Sequence, residues 1–127
     1  MILLDTHAVV WLRADPDRLG PGARAAVEAA DELAISDITL WELAMLVGRG
    51  RLETTDPLTT YLRAVSTSSV VLPITADVAS TVAHLPESFP TRDPADRIIY
   101  ATARVHELPL VSADGRLRTY DRSIIWT

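Results

Sequence analysis

Short, almost wholly apolar runs alternate along this chain with longer stretches in which apolar residues recur every three or four positions. The runs Ile2–Asp5, Leu33–Ser36, Val70–Ile74, Pro109–Ser112 and Ser123–Trp126 are too short for helices. Most lack the alternation of a half-exposed sheet, so they predict strands of a parallel sheet covered on both faces. Between them the helical period predicts helices over His7–Arg13, over Pro21–Ala30, from Asp37 to about Arg49, from Asp56 and Pro57 to about Ser66, from Thr75 to about His84, and from Asp93 to about His106. Pro21 suits a first turn, Asp37 suits a cap, and Gly48 and Gly50 suit a helix end. Leu85–Arg92, with Pro86 and Pro90, reads as a loop. Strand–helix alternation of this kind predicts an α/β domain of about five strands with right-handed crossovers.

Four acidic residues break this pattern. Asp5 and Asp114 each end an apolar run, Glu42 interrupts the apolar stretch Ile38–Val47, and Asp96 precedes the apolar segment Ile98–Ala103. A carboxylate beside a core is costly unless it is paired or binds a metal. Open α/β sheets bind ligands at the carboxyl ends of their strands. Asp5 and Asp114 fall at two such ends, Glu42 follows a third within two helical turns, and Asp96 lies in the first turn of the helix before the fourth strand. The pattern predicts one acidic pocket.

Composition narrows the chemistry. The 127 residues suffice for one domain, residues 1–127, with a real core. No apolar stretch reaches the ~18 residues that span a bilayer, and no export signal is visible, so a cytoplasmic location and no membrane partner are expected. The chain has no cysteine, which removes disulfides and thiolate sites. All 12 basic residues are arginine. The missing lysine excludes P-loop phosphate binding, Schiff-base chemistry and kinase-type transfer, and it counts against a lysine-using phosphatase. A net charge of −5 argues against wholesale nonspecific nucleic-acid binding but allows a local basic rim.

Two carboxylates ~4 Å apart repel by ~4 kcal/mol at an effective dielectric of about 20. Four together require protonation or a cation. Oxygen-only donors suit Mg²⁺, with Mn²⁺ able to substitute. Such an ion can acidify a bound water and neutralise a scissile phosphate, and the reaction class implied is phosphodiester hydrolysis.

The motifs Leu3-Leu4-Asp5-Thr6-His7, Ser36 with Thr39-Leu40-Trp41-Glu42-Leu43-Ala44, Arg92-Asp93-Pro94-Ala95-Asp96-Arg97 running into Ile98–Ala103, and Leu110-Val111-Ser112-Ala113-Asp114 occur in this order across the chain. With them the chain resembles PIN-domain ribonucleases, and among these the VapC toxins of VapBC toxin–antitoxin systems. The resemblance implies a three-layer α/β/α sandwich with a short, mainly parallel sheet. It implies a metal-dependent endoribonuclease toxin of a type II toxin–antitoxin system, inhibited by a cognate antitoxin. The alternative is a non-cleaving PIN-like module that binds RNA or protein.

Matched residue by residue, Asp5, Glu42, Asp96 and Asp114 correspond to the family's acidic quartet, with Asp5 and Asp96 expected at the metal. Either Asp93 or Asp96 can be the third acid, and spacing favours Asp96. Thr6, Thr39 and Ser112 are placed to support carboxylates or a water. Arg49, Arg51, Arg92, Arg97 and Arg116 are candidate contacts for RNA or antitoxin. The expected partners are RNA, an antitoxin laid across the pocket as a helix with a basic tail, a second copy in a homodimer, and a larger toxin–antitoxin assembly on DNA through the antitoxin.

Plainer roles compete at several positions. Asp93 before Pro94 also reads as a helix cap. His7, two residues after Asp5, is a candidate RNA contact, with helix capping or packing the simpler expectation. Trp11, Trp41 and Trp126 are most simply core or subunit contacts, not base-stacking platforms.

Overall fold

The computed structural model describes residues Met1–Thr127. Its centre is a four-stranded, all-parallel sheet in the order β3-β2-β1-β4, with β1 Ile2–Leu4, β2 Leu33–Ser36, β3 Val70–Leu72 and β4 Leu110–Val111. The strands are short because each is followed at once by a residue that caps or enters a helix or loop.

The expected fifth strand over Ser123–Trp126 is not formed. Only Ile125 pairs, as a single parallel bridge to Val111, with Ser112 N–H donating to the Ile125 carbonyl and Ile125 N–H to that of Leu110. The Asp121 carboxylate binds Ser123 N–H and hydroxyl, turning the chain just before the bridge. Beyond it the Trp126 carbonyl accepts from Ala23 N–H of the second helix at 2.9 Å. Local turn chemistry and a neighbouring helix thus take the groups a longer ladder would use.

Seven helices surround the sheet: α1 Thr6–Ala14, α2 Pro21–Ala29, α3 Asp37–Gly48, α4 Leu58–Thr67, α5 Ala76–Ala83, α6 Pro94–Val105 and α7 Gly115–Tyr120. Six follow the sequence pattern within a residue or two. The seventh was concealed in what reads as an Asp114–Gly115 turn. Side-chain caps start most of them: Asp5 for α1, Ser36 for α3, Thr75 for α5, Asp93 for α6 and Asp114 for α7.

Period-two alternation along β1 separates two cores. Ile2 and Leu4 face a cluster with Val9, Ala23, Ile35, Leu43, Val65 and Val111, under α1, α2 and α4. Leu3 faces the other side, with Ala34, Ile99, Tyr100, Ala103, Leu110 and Leu117, under α6 and α7. Helix α3 sits at the margin, its Leu43 in the first core and its Ile38 against the second. The result is the three-layer α/β/α sandwich expected.

Candidate active site

The carboxyl edge of the sheet opens into a cleft of about 340 Å³ lined by Asp5, Thr6, His7, Trp11, Glu42, Asp93, Asp96, Ala113, Asp114 and Arg116. All four acids singled out from the sequence, and Asp93, reach it. They come from four separate places: the end of β1, the middle of α3, the first turn of α6 and the loop after β4.

Each acid is held by local backbone or hydroxyl donors. Asp5 accepts from Ala8 N–H at 2.9 Å as the cap of α1. Burial pushes its carboxyl above the ordinary range, against the Ser112 hydroxyl, the Ala8 N–H and nearby His7. The buried Thr6 hydroxyl donates to Glu42 Oε1, and the buried Thr39 hydroxyl lies 3.4 Å from that of Thr6. Burial raises the Glu42 carboxyl as well; the Thr6 bond opposes this, and the charges of Asp96 and Asp93 add to it. Thr6 therefore meets this acid directly, with Thr39 behind it.

Asp96 receives the Thr91 hydroxyl on Oδ2 at 3.1 Å. Burial first and the Asp93 charge second hold its carboxyl above the usual range, with Thr91 and Arg116 opposing. Asp93 caps α6 through Ala95 N–H at 2.9 Å. The capping role and a place in the cleft coexist at this residue.

Asp114 differs. Arg116 Nη2 pairs with its Oδ2 at 3.0 Å, Arg116 Nε approaches Oδ1 at 3.3 Å, and Arg116 and Leu117 N–H groups cap onto Oδ1. The Arg116 side chain, outweighing burial, brings the Asp114 carboxyl below its ordinary range. Ser112 accepts from Asp114 N–H at 3.1 Å, fixing the loop.

The other arginines lie elsewhere. Arg49 and Arg51 are exposed beyond the end of α3, about seven residues and ~10 Å of helix from Glu42. Arg92 and Arg97 line a separate depression with Leu85, Pro86 and Glu87. Arg97 Nε donates to the Thr91 carbonyl at 2.8 Å, and its guanidinium lies 5.4 Å from the Phe89 ring centre. Of the expected basic contacts, Arg116 alone enters the cleft.

Sequence reasoning overlooked Thr91, buried in a proline-flanked loop. Nothing local marks it; its partners are five and two residues ahead and meet it only because the loop folds over the start of α6.

The donor set is oxygen only, apart from His7, and just one of the acids has an ion-pair partner. No three carboxyl or imidazole groups are drawn into a ready-made coordination shell. Residues of this kind fit a hard divalent ion that keeps several of its own waters, as Mg²⁺ does. Soft or nitrogen-preferring ions would find few ligands here.

A parallel α/β/α sandwich with an oxygen-rich acidic cleft at its strand ends defines the class: an α/β domain of the nuclease type. The PIN domain family matches residues 2–123, and the chain belongs to that family, within its VapC branch. Ribonuclease VapC22 of Mycobacterium tuberculosis is 44% identical over 119 residues, covering 94% of this chain and 91% of that protein. Among solved structures, a toxin–antitoxin complex from Klebsiella pneumoniae matches with a TM-score of 0.72 at 23% identity, covering 98% of this chain and 95% of that one. VapBC-5 of Mycobacterium tuberculosis, a member of the VapBC family of toxin–antitoxin systems, matches with a TM-score of 0.63 at 27% identity, covering 97% and 92%.

Proposed function

We propose that the cleft is the active centre of a metal-dependent endoribonuclease, the toxin of a type II toxin–antitoxin pair. The observation that carries this reading is the convergence of Asp5, Glu42, Asp96 and Asp114 on one cleft with a single basic residue, Arg116. Kinship with ribonuclease VapC22 supports RNA as the substrate.

Asp5 and Asp96 would hold the ion, with Glu42 and Asp114 acting directly or through waters. A bound Mg²⁺ or Mn²⁺ would neutralise charge on the scissile phosphate and acidify an attacking water. The protein's own contributions are positional. Thr6, Thr91 and Ser112 hydrogen-bond carboxylates, with Thr39 behind Thr6, and so limit the reorganisation needed when the strand arrives. Arg116 is placed to exchange its bond with Asp114 for one with a phosphate oxygen.

Antitoxin control rests on kinship with VapBC-5. A homodimer is supported by the apolar surface of α3. Trp41 is 55% exposed and Ile74 43%. Asp37 joins them, accepting from Ile74 N–H and lying one turn before Trp41. No helix is long and apolar enough to cross a membrane.

The test is cleavage of total cellular RNA by purified, antitoxin-free protein with Mg²⁺ or Mn²⁺ against EDTA, read by mapping the new ends. Discrete cuts that require metal are expected, and Asp96→Asn should abolish them while leaving the fold intact. A well-folded Asp96→Asn protein that cuts normally would overturn the reading.

A further inference from the structure

One wall of the cleft is aromatic, and the acids do not explain it. His7 and Trp11 line the cleft, with ring centroids 5.9 Å apart and planes at 55°. Trp126 continues the row, 5.6 Å beyond Trp11. The Arg18 guanidinium lies 4.7 Å from the Trp11 ring centre.

Of the plainer roles expected for His7, helix capping falls to another residue and packing is limited to Trp11. Asp5 caps α1. The His7 side chain is exposed, on the second residue of that helix, so it fills no core. It donates and accepts no hydrogen bond within the protein that would explain its orientation; its ordered neighbour is the half-buried Trp11. A ring braced by an indole beside the acids, with its outer surface in solvent, is built to receive another flat ring.

We propose that His7, braced by Trp11, forms a stacking subsite for an unpaired nucleobase next to the phosphate bound at the acids. The proposal rests on the nuclease reading and deepens it by naming the residue that holds a base of the substrate. Stacking on an aromatic face tolerates every base, because each base has a π face, and arginines beside such platforms track the backbone. Arg18, 4.7 Å from the Trp11 ring centre, supplies that charge. Double-stranded RNA keeps its bases stacked on each other and offers no free face, so the wall selects loops and unpaired segments.

The test compares a fluorescein-labelled short oligoadenylate with the same strand carrying abasic riboses, by fluorescence anisotropy with Ca²⁺ to keep the strand intact. Wild-type protein should bind the base-containing strand about tenfold more tightly. His7→Ala should bind both strands alike, at the abasic level, and His7→Phe should regain the preference, since a phenyl ring stacks without imidazole's charge or hydrogen bonds. Equal binding of the two strands by the wild type, or an undiminished preference in His7→Ala, would overturn the proposal. Cleavage of total RNA in Mg²⁺, measured on the same preparations, separates the two readings. Cleavage without base preference sinks the subsite alone, and base preference without cleavage sinks the nuclease alone.

Discussion

Thr91 grips Asp96: its hydroxyl donates to Asp96 Oδ2 at 3.1 Å, and Thr91 Oγ1 in turn accepts from Asp93 N–H at 3.1 Å. Its carbonyl meanwhile holds Arg97 Nε at 2.8 Å. One loop residue thus sets the rotamer of a cleft acid, the start of α6 and the direction of an arginine. Thr91→Val keeps the shape and removes the hydroxyl. Two partners are then left unsatisfied near the core, and stability should fall by about 1–3 kcal/mol. RNA cleavage should fall by roughly tenfold or more, because Asp96 is free to turn. Thr91→Ser should restore both. Urea melts and end-mapped cleavage decide this; a valine variant with wild-type stability and rate would refute it.

Crowded acids make the metal-free protein sensitive to pH. Burial holds the Asp5, Glu42 and Asp96 carboxyls above their unfolded range near 4. Between the unfolded and folded values the native state binds more protons than the unfolded one, so stability falls as pH rises through that window. Metal-free protein should therefore melt higher as pH drops from neutrality toward 5. Below about 4 the trend should reverse. Asp114, drawn down by Arg116, and Asp121, where Ser123 and Tyr100 bonds outweigh burial, then lose their contributions. Saturating Mn²⁺ at neutral pH should raise stability by ~2.7 kcal/mol at a hundredfold excess over Kd, and EDTA should reverse it. Circular-dichroism melts in EDTA that stay flat from pH 7 to 5 would contradict the first part. A melting temperature unmoved by millimolar Mn²⁺ would contradict the second.

Arg116 is the resident counter-charge of Asp114. Arg116→Gln should free that carboxylate for a cation. The Mn²⁺ concentration that half-stabilises the protein should drop by roughly two- to fivefold. RNA binding should weaken in the same variant, because a phosphate contact is lost. Titration by thermal shift and by anisotropy reads the two effects; an unmoved Mn²⁺ midpoint would refute the first role, and undiminished RNA binding the second.

Trp41 is the largest exposed apolar side chain on α3. If it buries against a second copy, Trp41→Ser should shift the protein from dimer to monomer at tens of micromolar in light scattering. The fold should be unchanged, since Leu43 rather than Trp41 fills the core. A wild-type protein already monomeric under those conditions would sink the dimer.

Much of the site was legible because acids at the ends of apolar runs are expensive. Asp5 and Asp114 repeat one pattern, and strand direction puts both at one edge. Glu42 was legible from apolar neighbours on either side. Asp96 was ranked above Asp93 by spacing alone, since a cap and a ligand call for the same residue type at a helix start. Thr91 was hidden, because it acts through long-loop geometry that no period reveals. The exposure on which the His7 proposal depends is likewise something a sequence does not report. Ser123–Trp126 had the composition of a strand, but Asp121 and Ala23 claimed its backbone partners. The α7 helix was masked by its own cap, because Asp114 before Gly115 satisfies the rules for a turn as well as those for a helix.

The first strand made, β1, lies inside the sheet and pairs with β4, formed from Leu110 and Val111. Asp5 and Asp114 therefore meet only through a contact that closes more than a hundred residues of chain, the slowest kind to form. A growing chain that has delivered Asp5, Glu42 and Asp96 still has no cleft until β4 docks. On the nuclease reading, a chain that has not yet made β4 lacks the last of its four acids and so has an incomplete centre.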